Sequence, residues 1–217
     1  MLLYVIRHGE TEANKEGRFQ GWSDNPLNEK GKELAVVTGR GMQGIRFDGC
    51  FSSPLIRARQ TAQIILRESK NLDVPILIDE RIKEIGMGEW EGKRFRTDLR
   101  GVSEEEAKVF FNRPFEFPGF PGGESARQVC ERTQQFLWEL AEKDDGRTYL
   151  ISLHGFAMRA MLNCLYEDPS DFWQQHVPLN CEVNILEAAG GRIRFVEKNK
   201  VYYDASDCVD RYKEMKE

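Results

Sequence analysis

The stretch Leu2-Leu3-Tyr4-Val5-Ile6-Arg7-His8-Gly9-Glu10-Thr11 decides how the rest of the chain is read. Leu2 to Ile6 run without a polar break, the pattern of a central strand buried on both faces of a sheet. The run then stops at a cation, an imidazole and a glycine. Its apolar part is shorter than the roughly 7–15 residues of a signal-peptide core and far shorter than a membrane span. It reads as a buried first strand. The same ending recurs twice. Cys50-Phe51-Ser52 leads to Ser53-Pro54-Leu55-Ile56-Arg57, and Thr148 to Leu153 leads to His154-Gly155.

Helical patterns lie between these strands. Asn28, followed by Glu29 and Lys30, is placed to cap a helix running to about Met42. Pro54 suits the first turn of a second helix, whose apolar residues Leu55, Ala58, Ala62, Ile65 and Leu66 recur near the 3.6 period. Val74 to Ile78 forms a third strand with Pro75 at its start. Further helices are expected from Ser125 to Ala141 and from Phe156 to Leu165. Two strands, Glu182 to Ala188 and Arg192 to Lys198, follow around Gly190-Gly191. This alternation predicts a largely parallel sheet covered by helices on both faces, with one late antiparallel member. From Ile85 to Pro121 the periodicity fails. That segment reads as an insertion over the sheet within one 217-residue domain.

The net charge of −5 argues against nucleic acid or an anionic membrane as a partner, and leaves monomer and homodimer open. The five cysteines, Cys50, Cys130, Cys164, Cys181 and Cys208, form no CxxC pair and no metal-ligand spacing. They read as reduced thiols of a cytoplasmic protein.

In sheets of this kind ligands bind beyond the carboxyl ends of the strands. Two of the chain's three histidines, His8 and His154, stand there, each before a glycine that allows a sharp turn and a close ligand approach. Arg7 and Arg57 accompany them. A phosphate monoester carries about −1.5 to −2 charge near neutral pH. Arginine forks match its oxygens and stay protonated. Two arginines and a second histidine can therefore balance the charge without a metal, leaving a neutral imidazole as nucleophile.

On these residues the chain resembles the histidine phosphatase superfamily, the phosphoglycerate mutase-like proteins. The resemblance rests on Arg7-His8-Gly9-Glu10-Thr11 with Asn14, on Gly21 to Leu27 with Gly31, and on Ser52-Ser53-Pro54-Leu55 through Ala62. It continues through Asp79, Arg81 and Glu84, Gly88 to Gly92, Pro121 to Ser125, and His154-Gly155, spanning residues 2 to about 162. It implies a three-layer α/β/α sandwich with a mostly parallel mixed sheet. It also implies that His8 attacks phosphorus while Arg7, Arg57 and His154 hold the phosphoryl oxygens. Asn14 and Gln20 fall where the family lines this pocket, and Glu84 where it places the general acid. Glu10 and Thr11 are expected to shape the turn. Many relatives have serine directly before the second histidine; here Leu153 stands there, with Ser152 one place earlier, which puts one supporting hydrogen bond in question. There is no GxSxG elbow to make Ser52 or Ser53 a nucleophile, and His176 reads as a surface or packing residue.

The segment Glu84 to Gly92 resembles the phosphatase branch more than the mutases, which carry a Tyr-, Gly- and Leu-rich stretch and a later arginine pair. The expected activity is metal-independent hydrolysis of a small phosphomonoester, with no cofactor. Phosphoglycerate mutase, of the 2,3-bisphosphoglycerate-dependent type, and a non-catalytic phosphate-binding protein are the alternatives. Lys93, Arg94, Arg96 and Arg100 form a basic run, expected as a solvated face or a contact for an acidic substrate. Phe110, Phe111, Phe115, Phe117 and Phe120 are expected to pack the insertion onto the sheet; the alternative is that some line a lid.

Overall fold

The computed structural model describes residues 1–94 and 104–205. Arg96, Arg100 and Cys208 lie outside the described residues. Six strands form one sheet in the order β3-β2-β4-β1-β5-β6. They are β1 (Leu2–Arg7), β2 (Gly49–Ser52), β3 (Ile76–Ile78), β4 (Thr148–Leu153), β5 (Val183–Ala189) and β6 (Arg192–Lys200). β3, β2, β4 and β1 pair in parallel. β5 is antiparallel to both β1 and β6, so it alone runs against the rest, as the sequence pattern predicts.

Alternate residues of β1 face opposite layers, which explains its unbroken hydrophobicity. Tyr4 and Ile6 pack with Leu34 and Ala35 of α2 (Glu29–Gly41) and with Ala62, Ile65 and Leu66 of α3 (Ile56–Glu68). Leu3 and Val5 pack with α5 (Ala126–Ala141) and α6 (Gly155–Leu162) on the other side. The architecture is the expected three-layer sandwich.

The helix ends follow local chemistry. Asn28 caps α2 by accepting from Gly31 N, and Ser125 forms a capping box with Gln128 at α5. A four-residue helix, α1 (Glu12–Lys15), begins at a second capping box between Thr11 and Asn14. Pro54 lies before the helix rather than in its first turn: Leu55 is the cap residue of α3, with no side-chain cap bond. β3 begins at Ile76 and not Val74, because Pro75 has no N–H to give the ladder. The expected helix to Leu165 changes to a 3₁₀ turn over Asn163–Leu165.

The segment between β3 and α5 holds structure that its aperiodic sequence conceals. It contains two 3₁₀ turns (Glu80–Ile82 and Gly88–Trp90) and a helix, α4 (Glu104–Asn112). Phe110, Phe117 and Phe120 are buried in the same core cluster as Leu3, Val5 and Leu153. Phe110 lies within 5.0–6.1 Å, centroid to centroid, of Trp90, Phe117, Phe120 and Phe156. Phe111 stacks at 6.0 Å from Phe19, and Phe115 meets Phe172 edge-on at 5.5 Å. These rings pack the insertion against the sheet. Burying each stabilises the fold by roughly 1.5–3 kcal/mol.

Candidate active site

Parallel pairing brings the ends of β1, β2 and β4 to one level. His8 N bonds Leu153 O at 2.9 Å, and Ser53 N bonds Ser152 O at 3.0 Å. The residues just past these ends therefore converge. The loop after β1 is held against α2 at close range: a Cβ on Gly9 would lie 2.4 Å from Gly31 O, and one on Gly31 2.1 Å from Glu10 O. Only glycine at both positions permits this approach.

His8 is buried, with its ring centroid 5.1 Å from that of His154. Its Nδ1 lies 2.6 Å from Gly9 O. A carbonyl only accepts, so Nδ1 carries the proton and Nε2 keeps the lone pair. Burial, reinforced by the Arg57 and Arg7 cations, holds the imidazole well below its ordinary value near 6.5.

Arg57 is fully buried in the first turn of α3. It donates from Nη1 to Ser23 O and from Nη2 to Gly21 O, both at 2.7 Å, and from Nε to His154 Nδ1 at 3.1 Å. Burial lowers it to about 10, so it stays charged near neutral pH. The loop that grips it is itself fixed. Glu91 accepts from Gly21 N and Trp22 N, and Asp24 accepts from Ile56 N.

Because His154 Nδ1 accepts from Arg57, its proton sits on Nε2, which donates to Ser53 Oγ at 2.7 Å. Burial and the Arg57 charge keep this ring neutral too. A histidine donating to the serine cannot also deprotonate it, so Ser53 is no activated nucleophile. Ser53 instead supplies the hydrogen bond that Leu153 put in question. Ser152 points elsewhere, to Ala58 O at 2.9 Å.

Glu84 is buried at the start of α6. Its Oε1 accepts from Ile85 N and Ala157 N at 2.9 Å, and its Oε2 from Phe156 N at 3.2 Å. Burial outweighs these bonds and the Arg57 charge, and its carboxyl is raised above the usual range. Arg132 of α5 fixes the chain beneath it, donating to the carbonyls of Arg81, Lys83 and Glu84 at 2.6–2.9 Å and to both carboxylate oxygens of Glu124. Gly86 and Glu124 close the neck of the insertion: Glu124 N bonds Gly86 O, and Gly86 N bonds Glu124 Oε2, both at 2.9 Å.

Arg7 donates from Nη1 to Pro178 O and passes the first turn of α6, where a Cβ on Gly155 would lie 3.3 Å from its Nε. Asn180 Nδ2 donates to His8 O at 3.0 Å and reaches Asn14 Oδ1 at 3.5 Å. Thr11 Oγ1 lies 3.1 Å from Asn14 Oδ1 and donates to Gln20 Oε1 at 2.7 Å. Gln20 Nε2 is a buried donor with no hydrogen-bond partner among the described residues. Glu10 supports the turn by accepting from Asn28 Nδ2 at 2.8 Å.

All seven candidates, Arg7, His8, Asn14, Gln20, Arg57, Glu84 and His154, thus belong to one connected set. Ser53, Glu91, Arg132 and Asn180 support it without having been singled out for that role. They hold neighbours by geometry that no local pattern encodes. His176 is half-buried against the fully buried Glu182.

Comparison with known proteins agrees with this picture. Residues 3–201 match the family model of the histidine phosphatase superfamily (branch 1). The chain is 34% identical over 163 residues to 2,3-bisphosphoglycerate-dependent phosphoglycerate mutase 2 of Gloeobacter violaceus, covering 74% of each chain. It is 35% identical over 179 residues to phosphoserine phosphatase 1 of Hydrogenobacter thermophilus, covering 79% of each. The solved structure of Bacillus stearothermophilus YhfR superimposes with a TM-score of 0.85 at 30% identity, covering 92% of this chain and 97% of that one. The chain belongs to the histidine phosphatase superfamily, and its relatives include both phosphatases and mutases.

Proposed function

We propose that this enzyme hydrolyses small phosphomonoesters through a phosphohistidine on His8, without a metal or other cofactor. The observation that carries the reading is the buried His8 ring, protonated on Nδ1 by its bond to Gly9 O, with its Nε2 lone pair beside two arginines. Nε2 attacks phosphorus; the P–O bond to the leaving group breaks, and its electron pair stays on that oxygen. The oxygen takes the proton of the Glu84 carboxyl and departs as an alcohol. The Glu84 carboxylate then takes a proton from water as the hydroxide attacks phosphorus. The P–N bond breaks, the pair returns to Nε2, and inorganic phosphate leaves. Arg7 and Arg57 hold the phosphoryl oxygens, His154 joins them once the phosphoryl group replaces Ser53 Oγ as the acceptor of its Nε2 proton, and Asn14 and Gln20 line the same pocket. Among the described residues Cys50, Cys130, Cys164 and Cys181 are free thiols, which fits a reducing, cytoplasmic setting.

Hydrolysis of p-nitrophenyl phosphate in EDTA tests this. Turnover is expected to survive chelation and to vanish in His8→Ala; activity restored only by a divalent cation would overturn the metal-free step. The mutase reading is favoured by relatives such as the Gloeobacter violaceus protein. Incubating 3-phosphoglycerate with and without 2,3-bisphosphoglycerate separates the two. Phosphate release supports hydrolysis, and conversion to 2-phosphoglycerate supports the mutase.

A further inference from the structure

The segment from His176 to Glu182 lies against Arg7, and one buried carboxylate ties it together. Glu182 is fully buried. Its Oε2 accepts from Leu179 N at 2.9 Å and from His176 Nε2 at 2.5 Å. The segment lends four groups to Arg7 and His8: Pro178 O receives Arg7 Nη1, Asn180 Nδ2 donates to His8 O, Cys181 N donates to Arg7 O at 3.0 Å, and a fourth comes from Glu182. Glu182 O receives Arg7 N at 3.0 Å.

The segment does not take this shape by local preference. Gln174, Gln175 and Cys181 have φ of +50°, +55° and +59°, the left-handed region that side chains other than glycine disfavour. Such a conformation persists only where surrounding contacts over-determine it. A second buried charge lies behind it. Arg159 of α6 is 1% exposed and donates to two neutral oxygens, His176 O at 3.0 Å and Tyr166 OH at 2.7 Å. Arg159 Nη2 and Glu182 Oε1 are both buried with no hydrogen-bond partner among the described residues. Glu182 and Asp171 are carboxylates whose charge acts on this guanidinium. Arg159 thus joins the helix that begins at His154 to the segment that holds Arg7.

We infer that Glu182 is a positioning residue: through His176 and Leu179 it fixes Pro178 and Asn180, and so sets the place of Arg7 in the phosphoryl pocket. The inference rests on the proposed reading of Arg7 as a phosphate-holding group. It assigns Glu182 to phosphate affinity and not to proton transfer, which the proposed function gives to Glu84. Losing the clamp therefore weakens binding of the phosphoryl group in substrate, product and transition state alike.

The test compares wild type with Glu182→Gln, His176→Phe, His176→Gln and Arg7→Ala. For each, kcat and KM for p-nitrophenyl phosphate, competitive inhibition by inorganic phosphate and the melting temperature are measured. Glu182→Gln and His176→Phe are expected to raise KM and the phosphate Ki about tenfold, with kcat changed less than about threefold. His176→Gln, which keeps a donor toward Glu182, is expected to restore both constants. Lower melting temperatures with wild-type KM and Ki would overturn the inference, since that is what a merely structural role does. If Glu182→Gln fails to fold, the two His176 variants decide on the same readouts. An Arg7→Ala protein with wild-type phosphate affinity would instead sink the underlying reading of Arg7. Weakened Arg7→Ala beside unaffected His176→Phe and Glu182→Gln sinks only the clamp.

Discussion

Arg57 donates its Nε proton to His154 Nδ1 at 3.1 Å, and both side chains are fully buried. A guanidinium has no acceptor to offer, so this one bond fixes the tautomer of the histidine and leaves its Nε2 proton facing Ser53. It also makes the two residues one unit, since neither can turn without stranding the other's buried polar atom.

Arg57→Lys breaks that unit. Lysine cannot reproduce the fork that holds Ser23 O, Gly21 O and His154 together. We expect kcat/KM for p-nitrophenyl phosphate to fall about 10²–10³-fold, as when a preorganised donor to a phosphoryl group is lost. Steady-state kinetics on folded variant protein checks this.

Ser53→Ala acts differently. It leaves the His154 Nε2 proton buried and unpaired, which costs about 1–3 kcal/mol. Urea denaturation is expected to show that loss, while substantial turnover remains because Ser53 is not the nucleophile.

Glu84 and His8 set opposite limbs of the pH profile. The acid must be protonated, so kcat/KM falls as pH rises through its upward-shifted pKa. The nucleophile must be neutral, and its downward shift places the acid limb well below 6.5. Glu84→Gln is expected to remove the alkaline limb. It should slow alkyl phosphates by about 10²–10⁴-fold and p-nitrophenyl phosphate much less, because nitrophenolate leaves without a proton. Equal losses on both substrates would refute the assignment.

Folding stability should depend on pH through the two histidines. Both have folded pKa values depressed below 6.5. The unfolded chain therefore binds more protons below 6.5. The stabilisation is complete above that pH and is lost as pH falls toward the folded values. Glu84, raised in the fold, contributes in the opposite sense: its share is full below its unfolded value and is lost as pH rises through the folded one. Urea midpoints from pH 7.5 down to 5.0 should fall in wild type. Replacing His154 with Gln should reduce the slope by up to about 1.4 kcal/mol per pH unit.

Phe110→Ala tests the insertion as core. Its ring meets six other aromatics, and truncation should cost about 3–5 kcal/mol in a denaturation series. A loss below 1 kcal/mol would return the ring to the role of a lid.

The elements with strong periodicity, β1, β4, α2 and α5, were legible because burial on a strand or helix face imposes a spacing. The residues proposed to bear on phosphate, Arg7, His8, Arg57 and His154, were legible because they follow strand ends, and the resemblance added Glu84, Asn14 and Gln20. Arg132, Glu182 and Asn180 were not. Arg132 and Asn180 act on partners about fifty to 170 positions away, such as Asn180 on His8 O, and Glu182 acts on His176 and Leu179 in an irregular segment that no helix or strand period marks. The helix α4 escaped because its nine residues place Glu104, Glu105, Glu106 and Lys108 ahead of Val109, Phe110 and Phe111, which leaves no apolar repeat at helical spacing.

The Gly86–Glu124 neck has a consequence for how such an enzyme diversifies. The two ends of the insertion are sewn together by reciprocal bonds, and Arg132 fastens the seam to the residue that carries Glu84. A chain spliced in beyond that seam leaves the main chain of Glu84, the proposed proton donor, held by Arg132. The neck is a graft junction, at which a new frontage toward the leaving group can be fitted so long as Glu91, which lies beyond the seam and fixes the loop that grips Arg57, is kept.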